Sequence, residues 1–114
     1  MDYDLEERTA KFGENVIQFL KTLPANHLSK PLISQLVHSA TSIGANYMEA
    51  NQASSRRDFY NKIRISQKEA NETKHWLRML VNLFTEDKEK FRRFWKEAHE
   101  LTLVFAKISK SNRN

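Results

Sequence analysis

Glu72-x-x-His75 sets a carboxylate and an imidazole one helical turn apart, the spacing with which helical bundles build carboxylate-bridged di-metal sites. Such a site needs a second Glu-x-x-His and two further carboxylates, and the second motif is missing. Around His99, Glu97 stands at i−2 and Glu100 at i+1, and neither offset brings two side chains onto one helix face. His27, His38 and His99 therefore read as loop or surface residues rather than ligands. The chain has no cysteine, which removes thiolate metal sites and disulfides together. Glu69 and Glu72 form a carboxylate pair with no nucleophile, oxyanion hole or phosphate loop nearby in sequence. The expectation is a protein without catalytic residues, bound metal or cofactor.

Two further constellations are suited to binding. Gln35, Ser39, Ser42, Asn46 and Glu49 recur at i, i+4, i+7, i+11 and i+14, which is one face of a helix. Beside it, Ile33, Leu36, Ala40, Ile43 and Tyr47 repeat with the same period and form a core row. A polar seam adjoining a buried one is stable only when solvated or hydrogen-bonded, and the row, together with Glu72, reads as a structural seam between helices or subunits in preference to a ligand site. The second constellation is basic: Arg57, Asn61, Arg64, Lys68, Asn71, His75 and Arg78 fall within about 100° of helical arc. Arg57, Arg64, Lys68 and Arg78 are its candidate contacts to nucleic-acid phosphates. Aromatic residues are absent from this strip, which argues against base stacking there.

The elements that must carry these faces follow from composition and period. The chain has 114 residues, enough for one domain with a core of its own. Only two Gly and two Pro occur, so turns are few and elements long. Charge is uneven: residues 1–55 carry four basic and six acidic side chains, residues 56–114 fifteen and eight. The second half therefore holds the positive excess, a footprint compatible with polyanions. The first residues lack a secretory pattern and no apolar run nears the roughly 20 residues of a membrane span, so a cytoplasmic protein without membrane contact is expected.

Period-3.6 apolar rows predict helices over about 4–23, 30–51, 55–84 and 86–109. Pro24 stops the first; Ser29 is the expected N-cap of the second, with Pro31 in its opening turn. Ser54 or Ser55 caps the third, with Asp58 completing a capping-box-like Ser55-x-x-Asp58, and an expected single helix of about 30 residues, near 45 Å, follows. Thr85 is the expected cap of the fourth, and Ser109 to Asn114 the frayed tail. No stretch alternates like a strand. Four helices with short connections predict an all-α, antiparallel up-down-up-down four-helix bundle over residues 1–114. On the third helix a second apolar stripe, Ile65, Trp76, Met79 and Leu83, lies about 100° from the core row. Such surplus apolar surface is either a wide flank of the core or an oligomer interface, and those four residues are taken as the expected interface.

The stretch Gln35-Leu36-Val37-His38-Ser39-Ala40-Thr41-Ser42-Ile43-Gly44-Ala45-Asn46-Tyr47-Met48-Glu49-Ala50 resembles the second-helix signature Gln-Leu-x-Arg-Ala-x-x-Ser-Ile-x-x-Asn-x-x-Glu-Gly. That signature marks the bacterial four-helix-bundle family of 23S ribosomal RNA intervening-sequence proteins. Asp58-Phe59 and the run Lys68 to Arg78 look like the family's third helix, and Leu23-Pro24 like its first loop. The resemblance spans roughly Phe12 to Ile108. Gln35, Ser42, Asn46, Glu49 and Glu72 match the pattern; His38 stands where Arg is usual, Ala50 where Gly is usual, and Glu69 where Ser is frequent. It implies an antiparallel bundle, often a ring-shaped homopentamer, similar to the accessory proteins of diversity-generating retroelements, which associate with a reverse transcriptase and nucleic acid.

Residues and resemblance together lead to the expectation of a non-enzymatic, homo-oligomeric interaction scaffold, a pentamer by the resemblance, whose partner is first of all itself. The rival expectation is an accessory protein that binds RNA or DNA, or a nucleic-acid enzyme, through the basic face of the third helix.

Overall fold

The computed structural model describes residues 2–111, the helical chain from Asp2 onward. Four helices cover most of it: α1 (Asp2–Leu20), α2 (Ser29–Asn51), α3 (Arg56–Leu80) and α4 (Lys88–Lys110). Among the described residues there is no strand, and the helices run up, down, up and down. Antiparallel order is fixed by cross-helix pairs: Lys62 with Glu49, Ser66 with Ile43 and Thr73 with Ser39 between α2 and α3, and Arg8 with Glu97 between α1 and α4. The bundle measures 46 × 21 × 20 Å. No helix among the described residues is long and apolar enough to cross a membrane.

Each helix turns an apolar row inward, although Trp95 of α4, also expected inward, stays exposed. Leu5, Thr9, Phe12, Val16, Phe19 and Leu20 of α1 close on Leu36, Ala40, Ile43 and Tyr47 of α2 and on Ile63, Ala70, Leu77 and Leu80 of α3, with Phe91, Ala98, Leu101 and Phe105 of α4 completing the core. Burying a large apolar side chain fully contributes roughly 1.5–3 kcal/mol, so this core is the main stabilising term.

The four seams differ in width because their side chains differ in size. Both glycines of the chain lie on the α1–α2 seam rather than in turns. A Cβ at Gly44 would come within 3.2 Å of Thr9 Oγ1, and one at Gly13 within 3.5 Å of the Thr41 methyl. The small residues Ser66, Ala70 and Thr73 likewise let α3 lie close against α2. The backbones of α1 and α4 stand further apart, and phenylalanines fill the gap. Phe19 stacks on Phe94 at 5.3 Å and meets Phe91 edge-on at 4.9 Å, while Phe12 meets Phe94 at 6.2 Å. Arg8 closes the surface of that seam with a bidentate pair to Glu97, at 2.7 and 2.8 Å. This hydrogen-bonded carboxylate raises the Arg8 pKa above its ordinary value.

Several element ends depart from the sequence expectation. The first helix stops at Leu20, and Thr22 and Leu23 continue in hydrogen-bonded turns, because a residue before proline is driven out of the helical region. Ser29 is not the side-chain cap of α2. Asn26 Oδ1 accepts the amides of Leu28 and Ser29, while the buried Ser29 hydroxyl accepts the Asn26 amide and donates to the Pro24 carbonyl. Ser55 does cap α3, accepting the Asp58 amide at 3.0 Å. The expected 30-residue helix breaks at Leu80 into two short 3₁₀ turns, Val81–Leu83 and Thr85–Asp87. Phe84, at φ −139° and ψ 62°, leaves helical geometry to put its ring in the core, and Asn82 donates to the last carbonyls of Arg78 and Met79. Thr85 therefore opens a 3₁₀ turn, and α4 begins at Lys88 without a side-chain cap. The expected frayed tail is helical through Lys110; residues 112–114 lie outside the described residues.

Candidate functional site

The polar row of α2 lies along the α3 side of that helix, and its members have different fates. Ser39 is buried, Ser42 and Asn46 are half-buried, and Gln35 and Glu49 are exposed. Ser39 Oγ is 3.0 Å from Thr73 Oγ1 on α3 and donates to the Leu36 carbonyl at 3.3 Å. Asn46 Nδ2 donates to the Ser42 carbonyl of its own helix. Glu49 Oε1 accepts from Lys62 Nζ of α3 at 2.7 Å, an exposed pair whose hydrogen bond raises the lysine pKa. One seam partner falls outside the α2 row: Ser66, fully buried, donates to the Ile43 carbonyl across the helix contact. Two helices thus satisfy each other's buried hydroxyls, as interior polar groups require.

The antiparallel register carries this row alongside the second apolar stripe of α3, so the two features occupy one face of the bundle. The cross-helix pairs bring the start of α2, residues 29–35, alongside residues 76–82 at the end of α3 and the turn after it. Trp76 packs against the core and Met79 is half-buried, whereas Ile65 and Leu83 are exposed at the two ends of the stripe. Leu28, just before α2, is 56% exposed. Glu72 is exposed. Glu69, half-buried beside it, has its pKa raised first by loss of solvation and then by the Glu72 charge, with His38 and Lys68 acting in the opposite direction.

Arg57, Arg64, Lys68 and Arg78 are all exposed, and among the described residues none of them closes an ion pair. Arg64 Nη1 lies 3.4 Å from Asn61 Oδ1 within the same strip. His75 and Glu72 share this outer face but have no third ligand, and among the described residues no group of three His, Asp or Glu side chains converges.

Sequence reasoning missed a second basic surface, on α4. Lys88, Lys90, Arg92, Arg93 and Lys96 interleave with Phe91, Phe94 and Trp95. The apolar period alone turns all three aromatics inward; Phe91 is buried and Phe94 half-buried, but Trp95 is 39% exposed. Its indole stacks on His99 at 5.2 Å, with Lys74 Nζ 5.2 Å from the ring centre and 3.1 Å from His99 Nδ1. The signal was available as basic residues alternating with aromatics, the pattern sought on α3 and absent there.

Similarity to known proteins agrees on architecture and leaves activity open. A crystal structure of a protein with unknown function from the S23 ribosomal protein family of Bacteroides thetaiotaomicron superposes with a TM-score of 0.83 at 34% identity. The alignment covers 92% of this chain and 97% of that one. Among curated proteins nothing matches. The family model described as 23S rRNA-intervening sequence protein matches residues 1–111, and with the bundle and its α2–α3 seam in place the chain belongs to that family.

Proposed function

We propose that the protein is a non-enzymatic, cytoplasmic, homo-oligomeric scaffold. The observation that carries this reading is apolar surface left over after the core is complete. Trp95, Met48, Ile17, Ile65, Leu83 and Leu28 are exposed in the single chain, on more than one face. Exposed apolar residues gathered into patches mark contacts between proteins, and a molecule with several such faces can hold several neighbours at once. A pentamer is the assembly that the family resemblance implies. Mass in solution tests the reading: an oligomer supports it and a monomer at tens of micromolar overturns it.

A second reading, nucleic-acid binding, is favoured by the exposed row Arg57, Arg64, Lys68 and Arg78, which extends about 31 Å along α3 at 1.5 Å per residue. Repeated around an oligomer, that row would present phosphates with a continuous basic surface. Salt-dependent binding of RNA or DNA, abolished on charge reversal in the row, is the supporting result.

A further inference from the structure

Two grooves on opposite sides of the bundle are matched in character and opposed in charge. On the α3–α4 side, a groove of about 660 Å³ is bordered by Arg78, Lys88, Arg92 and Lys96, and among the described residues no carboxylate lines it. Its floor is apolar, with Val81 half-buried and Trp95 partly in water. On the α1–α2 side, the groove between the glycine-lined helices is bordered by Glu6 and Glu14, and among the described residues no lysine or arginine lines it. Ile17 and Met48, 37% and 46% exposed, supply its apolar surface. The rim charges are weakly held within the chain: Arg92 lies 3.7 Å from Glu89 and Glu14 3.9 Å from Lys11, all largely solvated. Exposed pairs of that kind contribute little, so these charges remain available to face a partner.

We propose that copies of this chain associate head to tail, the acidic α1–α2 face of one seated on the basic α3–α4 groove of the next. The inference rests on the homo-oligomeric reading and adds which two surfaces meet. Opposite charge selects this pairing and opposes either face meeting its own copy, since like charges in contact are repelled. Because the two faces differ, the contact is heterologous, and repeating it builds a ring where the rotation between copies divides a full turn and an open filament where it does not. The acidic groove involves residues 6–17 and 41–48, and the basic one residues 77–96 nearer the opposite end of the bundle. Neighbouring copies would therefore pack obliquely.

Charge reversal in the full-length chain tests this. R92E/K96E and E6K/E14K each alter one face at exposed positions, and far-UV circular dichroism with a thermal midpoint checks that the bundle persists. Each double variant should lose the wild-type mass by light scattering, with association weakened about tenfold or more. The milder R92Q/K96Q should weaken it in the same direction. Combining all four reversals restores opposite charge across the interface and should restore the wild-type mass. Both double variants retaining that mass, or no recovery in the combined variant, overturns the pairing while leaving a homo-oligomer in place. A wild-type monomer overturns the pairing and the oligomeric reading together. A monomer that captures a single-stranded oligonucleotide or an acidic peptide in the α3–α4 groove overturns both and assigns the groove to that occupant instead.

Discussion

Thr73 Oγ1 and Ser39 Oγ meet 3.0 Å apart in the buried interface between α3 and α2. Thr73 is also 2.8 Å from the Glu69 carbonyl, and Ser39 is 3.3 Å from that of Leu36. Two hydroxyl protons thus serve three acceptors, and either assignment leaves both hydroxyls paired. Thr73→Val keeps the shape and removes one hydroxyl, while Ser39 retains its backbone acceptor. The expected cost is about 1 kcal/mol, at the lower end for a buried hydrogen bond. Adding Ser39→Ala should then cost less than it does in the wild-type background, because the shared hydrogen bond is already absent. Urea denaturation of the two single variants and the double one measures this coupling.

The two glycines should respond differently to alanine. Both lie in the middle of helices, where alanine is favoured by about 0.5–1 kcal/mol. At Gly13 the new methyl meets the Thr41 methyl at 3.5 Å, ordinary van der Waals distance, so G13A should stabilise by much of that amount. At Gly44 it meets Thr9 Oγ1 at 3.2 Å and Thr9 Cβ at 3.4 Å. Thr9 is buried and its hydroxyl donates to the Glu6 carbonyl, so it yields poorly and G44A should be the less stable of the two. Thermal midpoints in one buffer give the comparison.

Glu69 should make stability depend on pH. Desolvation and the neighbouring Glu72 raise its folded pKa above the unfolded value, so the folded state holds this proton more tightly. Above the folded pKa, ionised Glu69 costs stability; the cost disappears as pH falls through that pKa toward the unfolded one. E69Q should therefore be more stable than wild type near neutral pH, with the gap narrowing as acid is added. An equal gap at every pH would show that charge at this position is not the cause.

If the basic row of α3 contacts phosphates, R64E/K68E should weaken RNA or DNA binding and flatten its salt dependence. For every phosphate that the variant no longer neutralises, the slope of log K against log salt falls by about 0.9 for duplex DNA and about 0.7 for a single strand. Fluorescence anisotropy at several salt concentrations provides both numbers. Unchanged binding would remove Arg64 and Lys68 from the interface.

Much of the architecture is legible in the sequence because the period of apolar residues is a backbone property. The rows Leu5 to Leu23 and Leu36 to Tyr47 are buried almost residue for residue. Helix ends are less legible, since they depend on tertiary demands: the insertion of Phe84 into the core, not any local breaker, ends α3 at Leu80. The capping role of Asn26 is hidden because Ser29 is itself a good capping residue and stands closer to the helix. Among the surface candidates, spacing places the polar row on one helix and the second stripe on another, but only the register of α2 against α3 shows that they share a face. Spacing alone also turns Trp95 inward, although the width of the α3–α4 groove leaves its indole partly in water.

The bundle is predicted to work as an assembly of its own copies. Multi-angle light scattering on the full-length protein at tens of micromolar and low salt tests it most directly. The predicted result is a single species at five times the mass of one chain, dissociating as salt screens the paired faces. A species at the mass of one chain under those conditions would contradict it.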